Sequence, residues 1–179
     1  MPLSHSSSLI TPCLWFDNEG EEAAKFYTSI FPDSEIGHVS RYTEAGQDQH
    51  HQPAGKVLTV NFTLSGTRFL ALNGGSPDPK PGSDLNFKFT EAISFQIDCK
   101  DQDEVDYYWT RLLEGGGKEA RCGWLKDRFG LSWQVVPVQL KEYLGGKGDG
   151  QGGKRAMERM MGMGKLDIEG LREAYEGTG

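Results

Sequence analysis

The sequence predicts an α+β fold in which one strand–helix–strand–strand–strand pattern occurs twice, followed by a short helical tail. Three observations carry this. Two apolar stripes share one helical phase. Ala23, Phe26, Tyr27, Ile30 and Phe31 form the first, and Val105, Tyr108, Trp109, Leu112 and Leu113 the second, each at i, i+3, i+4, i+7, i+8. Each stripe follows a β-like run and precedes further strand-like runs that close on a hairpin signal, Ser65-Gly66 and then Phe129-Gly130. The spacings also agree: Asp17 to Asp98 is an offset of 81, Ala23 to Val105 of 82, and Gly66 to Gly130 of 64, the second copy having a shorter middle.

In the first copy, Ile10 to Asp17 reads as a strand and Pro32-Asp33 stops the helix. Glu35 to Tyr42, Val57 to Ser65 and Thr67 to Asn73 read as the remaining strands. His50 and His51 lie in a polar stretch, Glu44 to Lys56, that reads as a solvated loop. In the second copy, Ile93 to Asp98 is the first strand. Asp101 is a candidate helix cap, with Glu104 as its capping-box partner. Gly115-Gly116-Gly117 ends the helix. Lys118 to Arg121, Gly123 to Arg128 and Leu131 to Val136 are short strands, and Asp127-Arg128 at the hairpin reads as a surface ion pair.

The modules, about 9–76 and 87–138, flank a polar loop from Pro77 to Asn86 and are expected to form one domain over 1–144. The remainder, 145–179, reads as a Gly-rich linker from Gly145 to Gly153 and a helical tail. That tail carries a stripe of Met157, Met160 and Met161, then a helix capped by Asp167 with Ile168, Leu171 and Tyr175. A methionine stripe fits core or dimer packing.

Composition narrows the function. The 179 residues carry 19 Lys plus Arg against 26 Asp plus Glu, a net charge of −7. An acidic surface argues against nucleic acid or an anionic membrane as partner. No stretch approaches the roughly 18 apolar residues of a membrane span, and Met1 to Ser8 lacks a secretory pattern. Cys13, Cys99 and Cys122 are far apart and form no C-x-x-C pair, which fits a reducing, cytoplasmic compartment. Gly148, Gly153 and Lys154 have P-loop spacing, but Arg155 stands where the Mg-binding hydroxyl belongs. Gly115 to Gly117 follows a helix rather than opening one, so no dinucleotide loop is present.

Several stretches carry a family resemblance: Ile10 to Asp17, Phe26-Tyr27 with Phe31-Pro32, Ala71 to Gly75, Phe89 to Phe95, and above all Cys122 to Pro137 (CGWLKDRFGLSWQVVP). Together they resemble the PhnB-like branch of the vicinal oxygen chelate superfamily, often labelled 3-demethylubiquinone-9 3-methyltransferase-like. That superfamily also holds glyoxalase I, bleomycin-resistance proteins and extradiol dioxygenases. The resemblance implies paired βαβββ modules forming a half-open mixed β-sheet cup, usually in a homodimer. It also implies a divalent metal held by His or Glu at four strand positions. The matching positions here are Thr11, Ala92, Leu70 and Gln134. Ala and Leu offer no donor, and Thr and Gln are weak neutral ligands. No metal and no other cofactor is therefore expected.

What remains is a cup lined by other groups. Strand alternation places Cys13 and Trp15 with Thr11, Ser94 and Gln96 with Ala92, and Ser132 with Gln134. Asn73 and Trp124, near strand ends, are further ligand-binding candidates. Trp109 and Trp133 fall on packing phases. Gln134 fits either a hydrogen-bonding pocket or a satisfied core amide. Cys13 has no base near it in sequence and reads as an inert thiol rather than a nucleophile. The catalytic residues, if any, stay open. The set suits metal-independent binding of a small, partly apolar or aromatic molecule. The alternatives are an enzyme, of glyoxalase/dioxygenase or methyltransferase type, acting on a small aromatic substrate, and a scaffold whose cup is filled by its own side chains.

Overall fold

The computed structural model describes residues 9–75, 88–145 and 150–178. The loop from Pro77 to Asn86 and residues 146–149, which include the P-loop-like Gly148, lie outside them. The chain divides into two compact units, Met1–Lys88 and Phe89–Gly179.

The first unit contains β1 (Cys13–Phe16), α1 (Gly20–Thr28), β2 (Glu35–Arg41), a single turn α2 (Gln47–His50), β3 (Val57–Leu64) and β4 (Thr67–Asn73). Its sheet runs β1-β4-β3-β2, with β1 parallel to β4 and the other pairs antiparallel. β1 is shorter than its apolar run: Leu9 and Ile10 are exposed, and Pro12 has no amide to donate. α1 stops at Thr28 because the Thr28 and Ser29 hydroxyls donate to the Ala24 and Phe26 carbonyls at 2.8 and 2.7 Å. Ile30 and Phe31 continue the stripe in a turn, with their amides bonded to the Tyr27 carbonyl. Ala23, Ala24, Phe26, Tyr27 and Ile30 bury against Val60, Phe62, Leu64, Phe69 and Ala71. Tyr27 stacks on Phe62, and Phe62 on Phe69, with ring centroids 6.2 and 5.4 Å apart.

The second unit repeats the plan with β5 (Ser94–Cys99), α3 (Gln102–Leu113), β6 (Lys118–Glu119), β7 (Trp124–Lys126) and β8 (Ser132–Pro137). The order is β5-β8-β7-β6, again with the outer pair parallel. Asp101 caps α3 by accepting from the Glu104 amide at 3.0 Å. Glu104 reaches back to the Lys100 amide at 2.9 Å, one residue earlier than a reciprocal capping box requires. Val105, Trp109 and Leu112 bury against Leu125, Trp133 and Val135.

The surface position expected for Asp127 is corrected. Asp127 is only 3% exposed. Its carboxylate accepts from the Phe129 and Leu131 amides at 2.8 and 3.1 Å and from the Trp133 indole at 2.8 Å. It ties the β7–β8 hairpin to the core, because a buried carboxylate must be met by donors.

The expected linker is corrected in its second half. After α4 (Leu140–Leu144), helix α5 spans Gly150–Met161 and α6 spans Ile168–Glu176. Gly152 is where α5 meets α6: a Cβ there would lie 2.8 Å from the Tyr175 carbonyl oxygen, so the packing requires glycine. The tail docks on its own module. Cys122 and Gly123 donate to Met163 and Gly164, and the Gln102 side chain bonds Leu166 and Ile168. Asp167 caps α6 as expected. Met157 and Met161 are 42% and 54% exposed, so within this chain they are surface rather than core.

Among the described residues, no helix is long and apolar enough to cross a membrane.

Candidate functional site

Each sheet has one face covered by its helix and one that is not. In the first module, Leu14, Phe16, Val60, Phe62, Phe69 and Ala71 take the helix side. Alternation then puts Cys13 and Trp15 on the open side with their pairing partners Leu70 and Leu72, and with Asn61 and Thr59 beyond. Ser40 and Thr59 join by a 2.6 Å hydroxyl–hydroxyl bond on that side. In the second module, Trp133 and Val135 take the helix side. Ser94, Gln96, Ser132, Gln134, Trp124 and Lys126 share the open one.

The placements differ residue by residue. Thr11 is exposed just before β1 and lines a depression of about 120 Å³ with Asn61 and Arg68. Cys13 is exposed, yet desolvation pushes its thiol above the ordinary value, which lowers the thiolate fraction at neutral pH. Trp15 lies across the Gly74-Gly75 pair and donates its indole N–H to the Gly75 carbonyl at 3.0 Å. Any Cβ on Gly74 would fall inside the indole ring, at 1.9 Å, which explains glycine at that position. Ser94 accepts from the Gln134 amide at 2.9 Å, and Gln96 donates to Asp98 at 2.7 Å. Ser132 is 1% exposed, and its hydroxyl has no hydrogen-bond partner. Trp124 stands opposite Gln134 at the head of β7.

Asn73 does not join them. It is in phase with Phe69 and Ala71, on the helix side, and 3% exposed. Its side-chain oxygen accepts from the Gly20 amide at 2.8 Å, and its amide donates to the Val57 carbonyl at 3.2 Å. Its own carbonyl accepts from the Tyr42 hydroxyl at 2.6 Å. Those bonds commit Asn73 to holding the start of α1.

Reading single residues misses the charged neighbours. Lys126 lies directly opposite Ser132, and Lys118 directly opposite Lys126. Glu91 pairs with Lys126 at 2.6 Å, and that bond holds its carboxyl below the usual range. These residues line a cavity of about 200 Å³ with Trp124 and Ser132. A two-residue turn at Phe129-Gly130 would set Asp127 opposite Ser132; the observed register has a five-residue turn, 127–131, which is why the row was not legible in the sequence.

The family model for 3-demethylubiquinone-9 3-methyltransferase matches residues 8–136. The chain belongs to that family, in its PhnB-like form. Among solved structures it is similar to the PhnB protein from Bacillus cereus, at 33% identity over 73% of this chain and 100% of that one, with a TM-score of 0.59. It is also similar to protein PA1353 from Pseudomonas aeruginosa, at 18% identity over 73% and 98%, with a TM-score of 0.53, a likeness of fold. A weaker likeness, with a TM-score of 0.47, is to the fosfomycin resistance protein FosX from Listeria monocytogenes, at 18% identity over 79% and 98%. No curated protein matches the chain. The two mixed four-stranded sheets with their helices are the paired modules of the vicinal oxygen chelate superfamily.

The divalent metal that the family resemblance implies does not fit the residues of this PhnB-like chain. Ala92 and Leu70 have no lone pair to give, and the Gln134 amide donates to Ser94. Among the described residues, no three His, Cys, Asp or Glu side chains gather as a ligand set.

Proposed function

We propose that this PhnB-like protein binds a small, partly apolar or aromatic molecule against its open sheet faces, without a metal. The observation that carries the reading is the chemistry of those faces. In the second module Trp124 offers ring surface on the same face as neutral hydrogen-bonding groups, Ser94, Ser132 and Gln134, and Gln134 stands where the superfamily's pattern calls for an anionic or imidazole ligand; in the first, Trp15 shares the open face with Cys13. Such a surface orients a ligand through a few polar contacts and holds it by apolar area. Glyoxalase and dioxygenase chemistry rests on a Lewis-acid metal, and the donors for it are missing. The reading includes a homodimer, with the exposed Met157 and Met161 of α5 as its contact.

A thermal-shift screen of small aromatic compounds and of S-adenosylmethionine tests it. Stabilisation by aromatic compounds alone is the expected result, since a ligand that binds only the folded chain raises its melting temperature. Stabilisation by S-adenosylmethionine instead would replace binding with methyl transfer. Light scattering should give twice the chain mass of 19.8 kDa. A single chain mass at micromolar concentration would remove the dimer.

A further inference from the structure

We propose that the open face of the second sheet carries a carboxylate subsite, and that its ligand is a small aromatic acid. The inference rests on the proposed small-molecule binding and gives it one face and one ligand class. Ser132 is the starting observation. Ser132 is among the residues that line the cavity of about 200 Å³, and its buried hydroxyl meets no partner in the protein. A buried hydroxyl has one hydrogen to donate and two lone pairs, and native structures rarely leave all of them unmet.

The second observation is a row across the strands. Lys118 opposes Lys126, and Lys126 opposes Ser132. Two ammonium groups and the unmet hydroxyl therefore share one line on one face. The third is that Lys126 already holds a carboxylate, that of Glu91 at 2.6 Å. The Glu91 side chain is largely exposed and belongs to the segment before β5, so it is free to swing out. A ligand carboxylate that takes its place exchanges one anion for another, and Lys126 loses no charge partner. Ser132 then donates to the same carboxylate. Trp124, two residues before Lys126 on the same strand face, supplies a wall for the ring. At about 200 Å³ the cavity has room for one aromatic ring beside the carboxylate. In the first module strand pairing puts Asn61 and Leu70 at the matching positions, and no unmet buried hydroxyl stands among its described residues.

The test titrates the full-length ¹⁵N-labelled protein with benzoate and, separately, with its uncharged isostere benzamide. Benzoate should move the Trp124 indole signal and leave that of Trp133, which donates to Asp127, in place. Benzamide should bind at least about tenfold more weakly. Lys126→Met should weaken benzoate by at least about tenfold, and Lys118→Met and Ser132→Ala severalfold. Glu91→Gln should strengthen it, because the internal competitor is gone. Equal binding of benzamide and benzoate, or unchanged affinity in both folded lysine variants, overturns the carboxylate subsite and leaves small-molecule binding standing. Aromatic hits in the thermal-shift screen with no benzoate response at about 10 mM do the same. No response to any aromatic compound overturns both.

Discussion

The first module buries Asn73 at the end of β4 and uses it to hold the start of α1. The second buries Asp127 in its hairpin and uses it to hold a turn and Trp133. Strand pairing puts Val135 at the place of Asn73, and the two-residue turn at Ser65-Gly66 leaves no counterpart for Asp127, so neither device recurs in the other copy. The reason lies in the helices. α1 has no side-chain cap of its own, and a strand residue supplies the missing acceptor. α3 is capped by Asp101 and needs none. Two copies of one topology thus keep the same apolar helix side and satisfy their buried polar groups differently. The faces turned away from the helices differ most: Asn61 and Leu70 in one, Lys126 and Ser132 in the other.

This comparison can be broken by substitution. Asp127→Ala should have the largest effect, a loss of roughly 3–5 kcal/mol, because two amides and an indole are left unmet in the core. Urea unfolding followed by Trp fluorescence checks it. A loss under about 1 kcal/mol would mean that water reaches the hairpin. Asn73→Ala should cost roughly 2–3 kcal/mol in the same assay and expose the α1 amides to hydrogen exchange first. Uniform exchange across both modules would contradict its assigned role.

Gly152→Ala should cost roughly 1–3 kcal/mol by forcing α5 away from Tyr175. It should leave amide shifts in β1 to β4 unchanged. The smallest change belongs to Ser132→Ala, within about 0.5 kcal/mol of the parent, since no bond within the protein is lost. The thiols sharpen the picture without mutation. Cys13 alkylation should keep rising with pH beyond the ordinary thiol range, because its thiol is pushed up. Cys99, fully buried and pushed up to about 12, should react only after unfolding. Mass spectrometry of the alkylated peptides reads both.

The fold was legible because helix stripes and hairpin signals are local. The phases of Val105, Trp109 and Leu112 and the cap at Asp101 appear in the structure, and the offset of 81 holds between β1 and β5; strand pairing sets Ser132 at the place of Leu70, an offset of 62 rather than 64. Asp127 and Asn73 were misjudged for one physical reason. Whether a polar residue near a strand end faces water or the core depends on which turn and which helix sit over it, and neither is written in its neighbours. The Gly-rich stretch after Gly145 reads as a linker by composition. Gly152 is instead demanded by contact with Tyr175, more than twenty residues away. Ser132 was found by alternation, but its unmet hydroxyl was not, because partners are set across strands.

The central claim is that the open sheet faces bind a small molecule without a metal. The direct measurement is calorimetric titration of the protein with an aromatic compound that stabilises it, once in excess chelator and once with added manganese or zinc. The account predicts the same affinity and stoichiometry in both. Binding that appears only when metal is added would contradict it.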